Sequence, residues 1–168
     1  MKIIVVYHSG FGHTEKQAQA VAKGAGAELM KATEPDWDKL NAADAIIFGS
    51  PTYMGSAAAE FKKFMDESSK IWFEQKWKNK IAGGFTNGAG MSGDKLNTIK
   101  QLTIFAGQHG MIWVSAGFVP GDRFGCGLGN MAQSENAPAD ENNPPKIDLE
   151  NAEKYGKRIA EITTKFRG

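Results

Sequence analysis

Three short apolar segments within the first 85 residues are continuous rather than alternating, and each ends in a loop of small residues. They are residues 3–7, 45–49 and 81–85. Continuous apolar runs are typical of strands that are covered on both faces of a sheet. The intervening segments have helical spacing; in the first, the apolar positions are Ala18, Val21, Ala22 and Ala25. This alternation predicts an α/β fold, a parallel sheet with helices on both faces.

Two further segments, residues 27–31 and 111–114, complete a set of five predicted strands. Five strands joined by helices fit a three-layer, doubly wound sheet of order 2-1-3-4-5, whose topological switch point lies between strands 1 and 3. Residues 117–146 do not continue this alternation of strands and helices, since they are rich in Gly, Asn and Pro and show no hydrophobic period. We expect one domain, residues 1–168, in which this segment is a long loop excursion. Its early part is expected to cover a ligand site, and its later part, from Ser134, to be mobile.

Charge and composition exclude several classes of partner. The formal net charge is +1, from 20 basic and 19 acidic side chains. A nucleic-acid-binding or membrane-surface protein is expected to carry a basic patch, so we expect neither partner. No apolar stretch is long enough to span a bilayer, and the first residues lack the pattern of a signal peptide. The lone Cys126 cannot form an internal disulfide, which favours a cytoplasmic location. The three histidines lack the spacing of metal ligands, so we expect no metal site.

The loop after the first predicted strand suits an anion. Glycines at positions 10 and 12 let the backbone approach a ligand closely, and Ser9 and Thr14 add hydroxyl donors. The following helix begins with backbone N–H groups that lack partners, which favours a phosphate. No Lys or Arg lies in the loop, and the chain has no Walker A pattern. On this loop alone, the alternative that the glycines only turn a strand into a helix stays open.

The loops after predicted strands 1, 3 and 4 are all enriched in Gly, Ser, Thr or Asn. Because the carboxyl ends of parallel strands lie at one edge of the sheet, these three loops are expected to converge. The sequence therefore predicts a ligand site at that edge.

Four motifs extend across most of residues 1–115. They are YHSGFGHT at residues 7–14, AIIFGSPTYMG at 45–55, FMD at 64–66 and HGM at 109–111. With them the chain resembles the WrbA-type NAD(P)H:quinone oxidoreductase and NADPH-dependent FMN reductase-like family, whose members have the flavodoxin-like fold and bind FMN.

The resemblance implies a role for each loop. The FMN phosphate would be held by Ser9, Gly10, Phe11, Gly12, His13 and Thr14. The isoalloxazine and ribityl groups would be wrapped by Pro51, Thr52, Tyr53, Met54 and Gly55. Amides for the polar edge of the flavin would come from Thr86, Asn87, Gly88, Ala89 and Gly90, and His109 would lie beside the pyrimidine end of the ring.

The chain also departs from the family pattern. The connector between predicted strands 2 and 3 is short where many members carry an insertion linked to tetramer assembly, so tetramer formation does not follow from the resemblance. Tyr53 occupies a position where an Arg is common in the family, so nicotinamide preference and substrate contacts do not follow from the resemblance. The loop at residues 86–91 matches the family only loosely, and its alignment with the family pattern is defined only to within one residue.

The implied chemistry is the two-electron reduction of a quinone by NAD(P)H, with hydride passing through FMN in a ping-pong cycle. His109 is the candidate catalytic side chain, which would donate a hydrogen bond to the flavin ring or protonate the quinone. The alternative role for His109 is structural: at the end of a helix, its side chain would bind backbone carbonyls. Phe11 and Trp72 are candidate walls for a flat substrate, while Trp72 suits packing against the sheet or a partner subunit equally well. A homodimer or homotetramer is expected.

Two other functions use the same cofactor. An electron-transfer flavodoxin would share the fold and FMN without a nicotinamide reaction, but such proteins are strongly acidic, and the net charge of +1 argues against this class. A non-enzymatic FMN-binding or interaction module is the other alternative, if residues 117–145 block the face of the ring.

Overall fold

The computed structural model describes residues 1–119 and 126–167. Its strands are β1 (Ile3–Tyr7), β2 (Glu28–Lys31), β3 (Ala45–Tyr53), β4 (Ser56–Ala57), β5 (Ile81–Gly88), β6 (Ile112–Trp113) and β7 (Asn130–Gln133). Its helices are α1 (His13–Ala25), α2 (Trp37–Asn41), α3 (Ala59–Glu67), α4 (Ser69–Phe73), α5 (Ser92–Gln108) and α6 (Lys146–Arg167).

The central sheet has the order β2-β1-β3-β5-β6, with every neighbouring pair on this path parallel. Because β5 and β6 are the fourth and fifth predicted strands, the predicted order 2-1-3-4-5 and the flavodoxin-like fold class are confirmed. The short strand β4 turns back antiparallel on the end of β3.

The fifth position of the sheet is divided between two strands. β6 pairs with the start of β5, at Ile81 and Ala82, and β7 pairs with its end, from Phe85 to Gly88. The sequence prediction missed β7, which lies inside the segment expected to be irregular. Its residues are Asn, Met, Ala and Gln, so neither an apolar run nor an alternation identifies it. A polar residue is buried there because Gln17 Nε2 donates to Asn130 Oδ1 at 2.7 Å.

Both faces of the sheet are buried, as the continuous apolar runs predict. Ile4 and Val6 face one core and Val5 faces the other, since successive side chains of a strand point to opposite sides. The first core holds the aromatic side chains Phe48, Phe61, Phe64, Trp77 and Phe105. The second is covered by α1 and α6, with Tyr155 and Ile159 packed on the strands.

Helices α1 and α6 pack closely through two glycines. A β-carbon on Gly24 would lie 2.0 Å from the backbone oxygen of Glu153, and one on Gly156 would lie 2.1 Å from that of Val21. Neither backbone can move aside as a flexible side chain can, so the contact requires glycine at both positions. This contact positions α1, whose first turn follows the anion loop. No helix in the described part of the chain is long and apolar enough to cross a membrane.

Candidate functional site

The loops after β1, β3 and β5 line one cavity of about 590 Å³ at the carboxyl edge of the sheet. The lining residues from these loops are Ser9, Phe11, His13, Thr14, Pro51, Thr52, Tyr53, Asn87, Gly88 and Ala89. A fourth wall comes from residues 134–138. The structure thus brings together ten of the residues that the sequence assigned to a ligand site.

The first loop presents backbone donors to the cavity. Ser9 Oγ accepts the N–H of Gly12 at 3.0 Å, and Gly12 has φ 87°, which favours glycine and turns the chain into α1. No side chain of the residues that the structure describes caps this helix. Within the described residues, the N–H groups of Phe11, His13 and Thr14 have no hydrogen-bond acceptor. The loop is therefore a set of amide donors at the positive end of a helix dipole.

Aromatic side chains form the outer rim. The rings of Phe11 and Tyr53 meet edge to face with centroids 6.2 Å apart, and Phe11 is 73% exposed. Burial raises the pKa of Tyr53, whose hydroxyl lies at the backbone of Gly10. A β-carbon on Gly10 would lie 2.6 Å from that hydroxyl oxygen, so glycine permits the contact. The rim is therefore aromatic, with its two rings nearly perpendicular, and it is open to solvent on the Phe11 side.

The inner end of the cavity holds an amide whose donor has no partner. Asn87 is 3% exposed, and its Oδ1 accepts from Ser134 Oγ at 2.7 Å. Its Nδ2 is buried and, within the part of the chain that the structure describes, has no partner. Beneath it, Thr52 Oγ1 lies 2.8 Å from both Thr86 Oγ1 and Thr98 Oγ1, which fixes the two loops relative to α5. Asn87 can therefore donate one hydrogen bond to a ligand.

Residues 134–138 form a wall that sequence reasoning did not assign to the site. His13 Nε2 lies 2.9 Å from the backbone oxygen of Ala137, and Asn143 Nδ2 donates to the backbone oxygen of Pro138 at 3.2 Å. The first bond ties the wall to the first turn of α1, and the second ties it to Asn143. The sequence expected the early part of the excursion to cover the site; residues 120–125 of that part lie outside the described residues, and the wall seen here comes from the later part.

Six predicted FMN contacts from the three loops do not line this cavity: Gly10, Gly12, Met54, Gly55, Thr86 and Gly90. Gly10 lines the neighbouring groove instead, and Thr86 is buried beneath Thr52. Met54 and Gly55 form a tight turn with φ 48° and 76°, which leaves the Met54 side chain in solvent. The backbone geometry of these residues shapes the loops even where their side chains face elsewhere.

The structure does not bring His109 or Trp72 to the cavity. Helix α5 begins at Ser92, just beyond the carboxyl end of β5, and runs back along the sheet to Gln108. With a rise of about 1.5 Å per residue, its 17 residues place His109 roughly 25 Å from that edge. His109 and Trp72 line a different cavity, between α3, α4 and α5. The HGM motif at the end of a helix does not indicate which edge of the sheet that end of the helix will reach.

His109 is held in a mostly apolar pocket. Its ring packs against Trp77 and Phe105, with centroids 4.3 Å and 4.9 Å away, and its Nε2 lies 2.9 Å from Ser68 Oγ. Burial lowers the pKa of His109 from 6.5 to about 4. At neutral pH the imidazole is therefore uncharged, and its side chain binds a hydroxyl rather than the backbone carbonyls that the alternative reading expected.

This burial predicts a pH dependence of stability. Between pH 6.5 and 4 the unfolded chain binds a proton at His109 that the folded chain does not, so the free energy of unfolding falls as the pH is lowered. The loss attributable to His109 reaches up to about 3 kcal/mol. Urea unfolding at pH 7, 5.5 and 4.5 measures it, with His109→Gln as the variant that cannot titrate. The wild type is expected to lose stability more steeply than the variant; equal slopes would contradict the prediction.

Lys95 is a second residue that sequence reasoning left unassigned. It is 2% exposed, and its Nζ donates to the backbone oxygen of Ala132 at 3.1 Å and to that of Gly88 at 3.4 Å. These bonds join the end of β5, which lines the cavity, to β7. Helical spacing in the sequence gives no signal for a buried lysine, because its oxygen partners are backbone atoms of distant segments.

Comparison with known proteins places these features in a family. A family profile described as NADPH-dependent FMN reductase matches residues 23–124, more than half of the chain. A crystal structure of a WrbA-like flavodoxin from Agrobacterium tumefaciens superposes with a TM-score of 0.85 at 47% identity, over 98% of both chains.

Two curated relatives cover nearly the whole chain. Flavodoxin FldP of Pseudomonas aeruginosa is 42% identical over 96% of each chain. Quinone-oxidoreductase QR2 of Triphysaria versicolor is 34% identical over 99% of this chain and 97% of its own. With the parallel sheet order and the three-loop cavity, these matches show that the chain belongs to the flavodoxin-like, WrbA-type family of NADPH-dependent FMN reductases.

Proposed function

We propose that the protein is an FMN-dependent oxidoreductase that reduces quinones with NAD(P)H. The observation that carries this proposal is the cavity at the carboxyl edge of the sheet, where amide donors at one end and an unpaired amide at the other flank an aromatic rim. Curated relatives support it, since QR2 is named a quinone oxidoreductase and a Geobacter sulfurreducens protein, 30% identical over the full length of both chains, is named an NAD(P)H dehydrogenase (quinone).

The residues present fit FMN. A volume of about 590 Å³ lies within the range of roughly 300–1,000 Å³ usual for small-molecule sites. The free N–H groups of residues 11, 13 and 14 suit a phosphate monoester, and no Lys or Arg is among the described lining residues. The buried, unpartnered Nδ2 of Asn87 suits a carbonyl or ring-nitrogen acceptor. The residues thus match an anionic tail joined to a flat group with polar atoms.

Each loop then has a task. Ser9 and Thr14, with the loop amides, hold the phosphate; residues 51–53 flank the ring; Asn87 donates to its polar edge. The bound FMN supplies the hydride transfer that amino-acid side chains cannot perform. Asn87, as a donor at that edge, would favour negative charge on the bound cofactor in the same way as a donor of an oxyanion hole.

The open side of the rim is the place for substrates. Phe11 and Tyr53 line both the cavity and a neighbouring groove of about 890 Å³, which also touches His8, Glu60 and Lys62. Because the described residues leave the rim open on the Phe11 side, we expect NAD(P)H and quinone to bind at this face in turn rather than together. Ping-pong kinetics follow from this arrangement.

Steady-state kinetics test this order. With the FMN-loaded protein, initial rates of NADPH oxidation at several benzoquinone concentrations are expected to give parallel double-reciprocal lines. Intersecting lines would show that both substrates bind together and would contradict a shared face.

An electron-carrier function is the second candidate, favoured by the 42% identity to a protein named flavodoxin. A carrier receives electrons from a protein reductase and is not reduced directly by a nicotinamide. A non-enzymatic module is disfavoured by the described residues, because Phe11 and the groove beside it are exposed.

We also propose a cytoplasmic location, on the ground of the single cysteine, and a homodimer or homotetramer. Sedimentation velocity of the FMN-loaded protein measures the second property. A single species with the mass of one chain, about 18.2 kDa, would contradict it.

A further inference from the structure

The groove beside Phe11 and Tyr53, here called the rim groove, adjoins a second groove. This helix groove has a volume of about 430 Å³ and lies between α3, α4 and α5. Lys62 and Gln101 line both grooves, so the two meet at these side chains. Together they form a path that leads from the aromatic rim along the surface of the protein.

The spacing of the lining residues along two helices shows that the path runs between α3 and α5. The positions that line it on these helices include Ala59, Lys62 and Met65 on α3, and Gln101, Ile104 and Gln108 on α5. Residues three or four apart lie on one face of a helix, so each set forms a single stripe. From Ala59 to Met65 this stripe is roughly 9 Å long, at about 1.5 Å per residue. That length is several carbon–carbon bonds.

The boundary between the two grooves has a fixed side and an exposed side. Gln101 Oε1 accepts from Ser56 Oγ at 3.1 Å and from the N–H of Ala57 at 3.2 Å, which ties Gln101 to β4. The side chain of Lys62 is 57% exposed, and its ammonium group is bonded to Asp66 in solvent. The stem of a lysine is apolar, so Lys62 can border a hydrocarbon chain while its charge remains hydrated.

The helix groove is lined by large apolar side chains that are partly in solvent. Trp72 is 43% exposed and Ile104 is 61% exposed, and Met65 and Phe105 complete the apolar lining. Neighbouring apolar side chains that stay exposed are typical of a groove that binds a ligand. This part of the path therefore suits a hydrocarbon group.

The charges of the helix groove disfavour an anionic ligand. Among its described lining residues, the two that carry a permanent charge are Lys62 and Asp66, and they form an ion pair with each other. The diphosphate of a dinucleotide would therefore find no unpaired cation there, and it would lose hydration without compensation. A neutral chain meets no such cost.

We propose that the quinone acceptor carries a hydrocarbon chain and that this path binds it. The quinone ring lies at the rim, against Phe11 and Tyr53, and the chain runs between α3 and α5 to Trp72 and Ile104. The proposal rests on the quinone reduction proposed above and adds the substrate class of that site.

Two quinones with the same ring test the proposal. Turnover of the FMN-loaded protein, with whichever nicotinamide reduces its flavin, is measured with methylbenzoquinone and separately with hexylbenzoquinone. Each carries one alkyl group, so their redox potentials are nearly equal. Each methylene fully removed from water adds about fourfold in affinity, and in an open groove we expect kcat/KM to be about 10- to 100-fold higher for hexylbenzoquinone. Equal kcat/KM values would overturn the chain site and leave quinone reduction standing, whereas no turnover of either quinone would overturn both.

Variants of exposed apolar residues show where the chain binds. Trp72 and Ile104 line the helix groove, whereas Phe73 is 81% exposed and does not line it. The ratio of the two kcat/KM values is expected to fall about 5-fold in Trp72→Ala and in Ile104→Ala, because each removes apolar surface that covers the chain. In Phe73→Ala, the matched control, it is expected to stay near the wild-type value.

Two results with these variants would contradict the proposal. The same ratio in all three variants would overturn it, because the chain would then bind elsewhere or a second copy of the protein would cover this face. A KM for the nicotinamide that rises in Trp72→Ala as much as the KM for hexylbenzoquinone would assign the helix groove to the dinucleotide and would also overturn it.

Discussion

Replacing Thr14 with glutamate is expected to abolish FMN binding while leaving the fold intact. Thr14 is 2% exposed, lies in the first turn of α1 and lines the cavity beside the free loop amides. A carboxylate there would lie next to the phosphate, and two like charges about 4 Å apart at a protein surface repel by about 4 kcal/mol. The dissociation constant of FMN is therefore expected to rise about a thousandfold, which flavin fluorescence quenching by the apoprotein measures.

Two variants separate charge from other effects. In Thr14→Gln the new side chain has nearly the size of glutamate but no charge, so this variant is expected to retain most of the affinity for FMN. Gln19→Glu adds the same charge on an exposed position of the same helix and is expected to bind FMN normally. Unchanged affinity in Thr14→Glu would show that the phosphate lies elsewhere. An equal loss of FMN affinity in Gln19→Glu would show that the change in net charge alone is responsible.

Gly156→Ala is expected to cause the largest loss of stability. The added methyl group would lie 2.1 Å from the backbone oxygen of Val21, so α1 and α6 must separate along their length. Overpacking of this kind usually costs 1–3 kcal/mol, and we expect about 3 kcal/mol because the obstacle is backbone. At about 2–4 °C per kcal/mol for a chain of this size, the melting temperature falls by roughly 6–12 °C.

Gly107→Ala is the matched control for this change. Gly107 lies in α5, and apart from its own helix a β-carbon there would meet no atom of the described residues within 4 Å. The same substitution is expected to raise stability by about 0.5–1 kcal/mol, because alanine favours the helix. Thermal unfolding of both apoproteins measures the difference. Equal melting temperatures would show that α1 and α6 are not in tight contact.

Much of the fold could be predicted because its physical cause is local in the sequence. The apolar residues of β1 and β3 run without interruption because both faces of these strands are buried, as Ile4 and Val5 show on opposite sides. The glycine pattern of the first loop also follows from local geometry, since Gly12 has a positive φ. Strand order and three walls of the cavity follow from these features.

The remaining parts depend on contacts between distant segments. Strand β7 is buried through Asn130, which Gln17 binds across 113 residues of chain. The fourth wall is held by the backbone oxygens of Ala137 and Pro138, which any sequence possesses. His109 shares a motif with the family, yet the length and direction of α5 carry it to the other edge of the sheet. Residue type alone does not encode such placements.

Anaerobic stopped-flow mixing tests direct reduction by a nicotinamide. The FMN-loaded protein is mixed with NADPH, and separately with NADH, without any other protein. We expect the flavin absorbance to bleach rapidly with at least one of them and to return in full when benzoquinone is added. Flavin that stays oxidised with both nicotinamides, but bleaches once a protein reductase is added, would contradict a quinone reductase and identify an electron carrier.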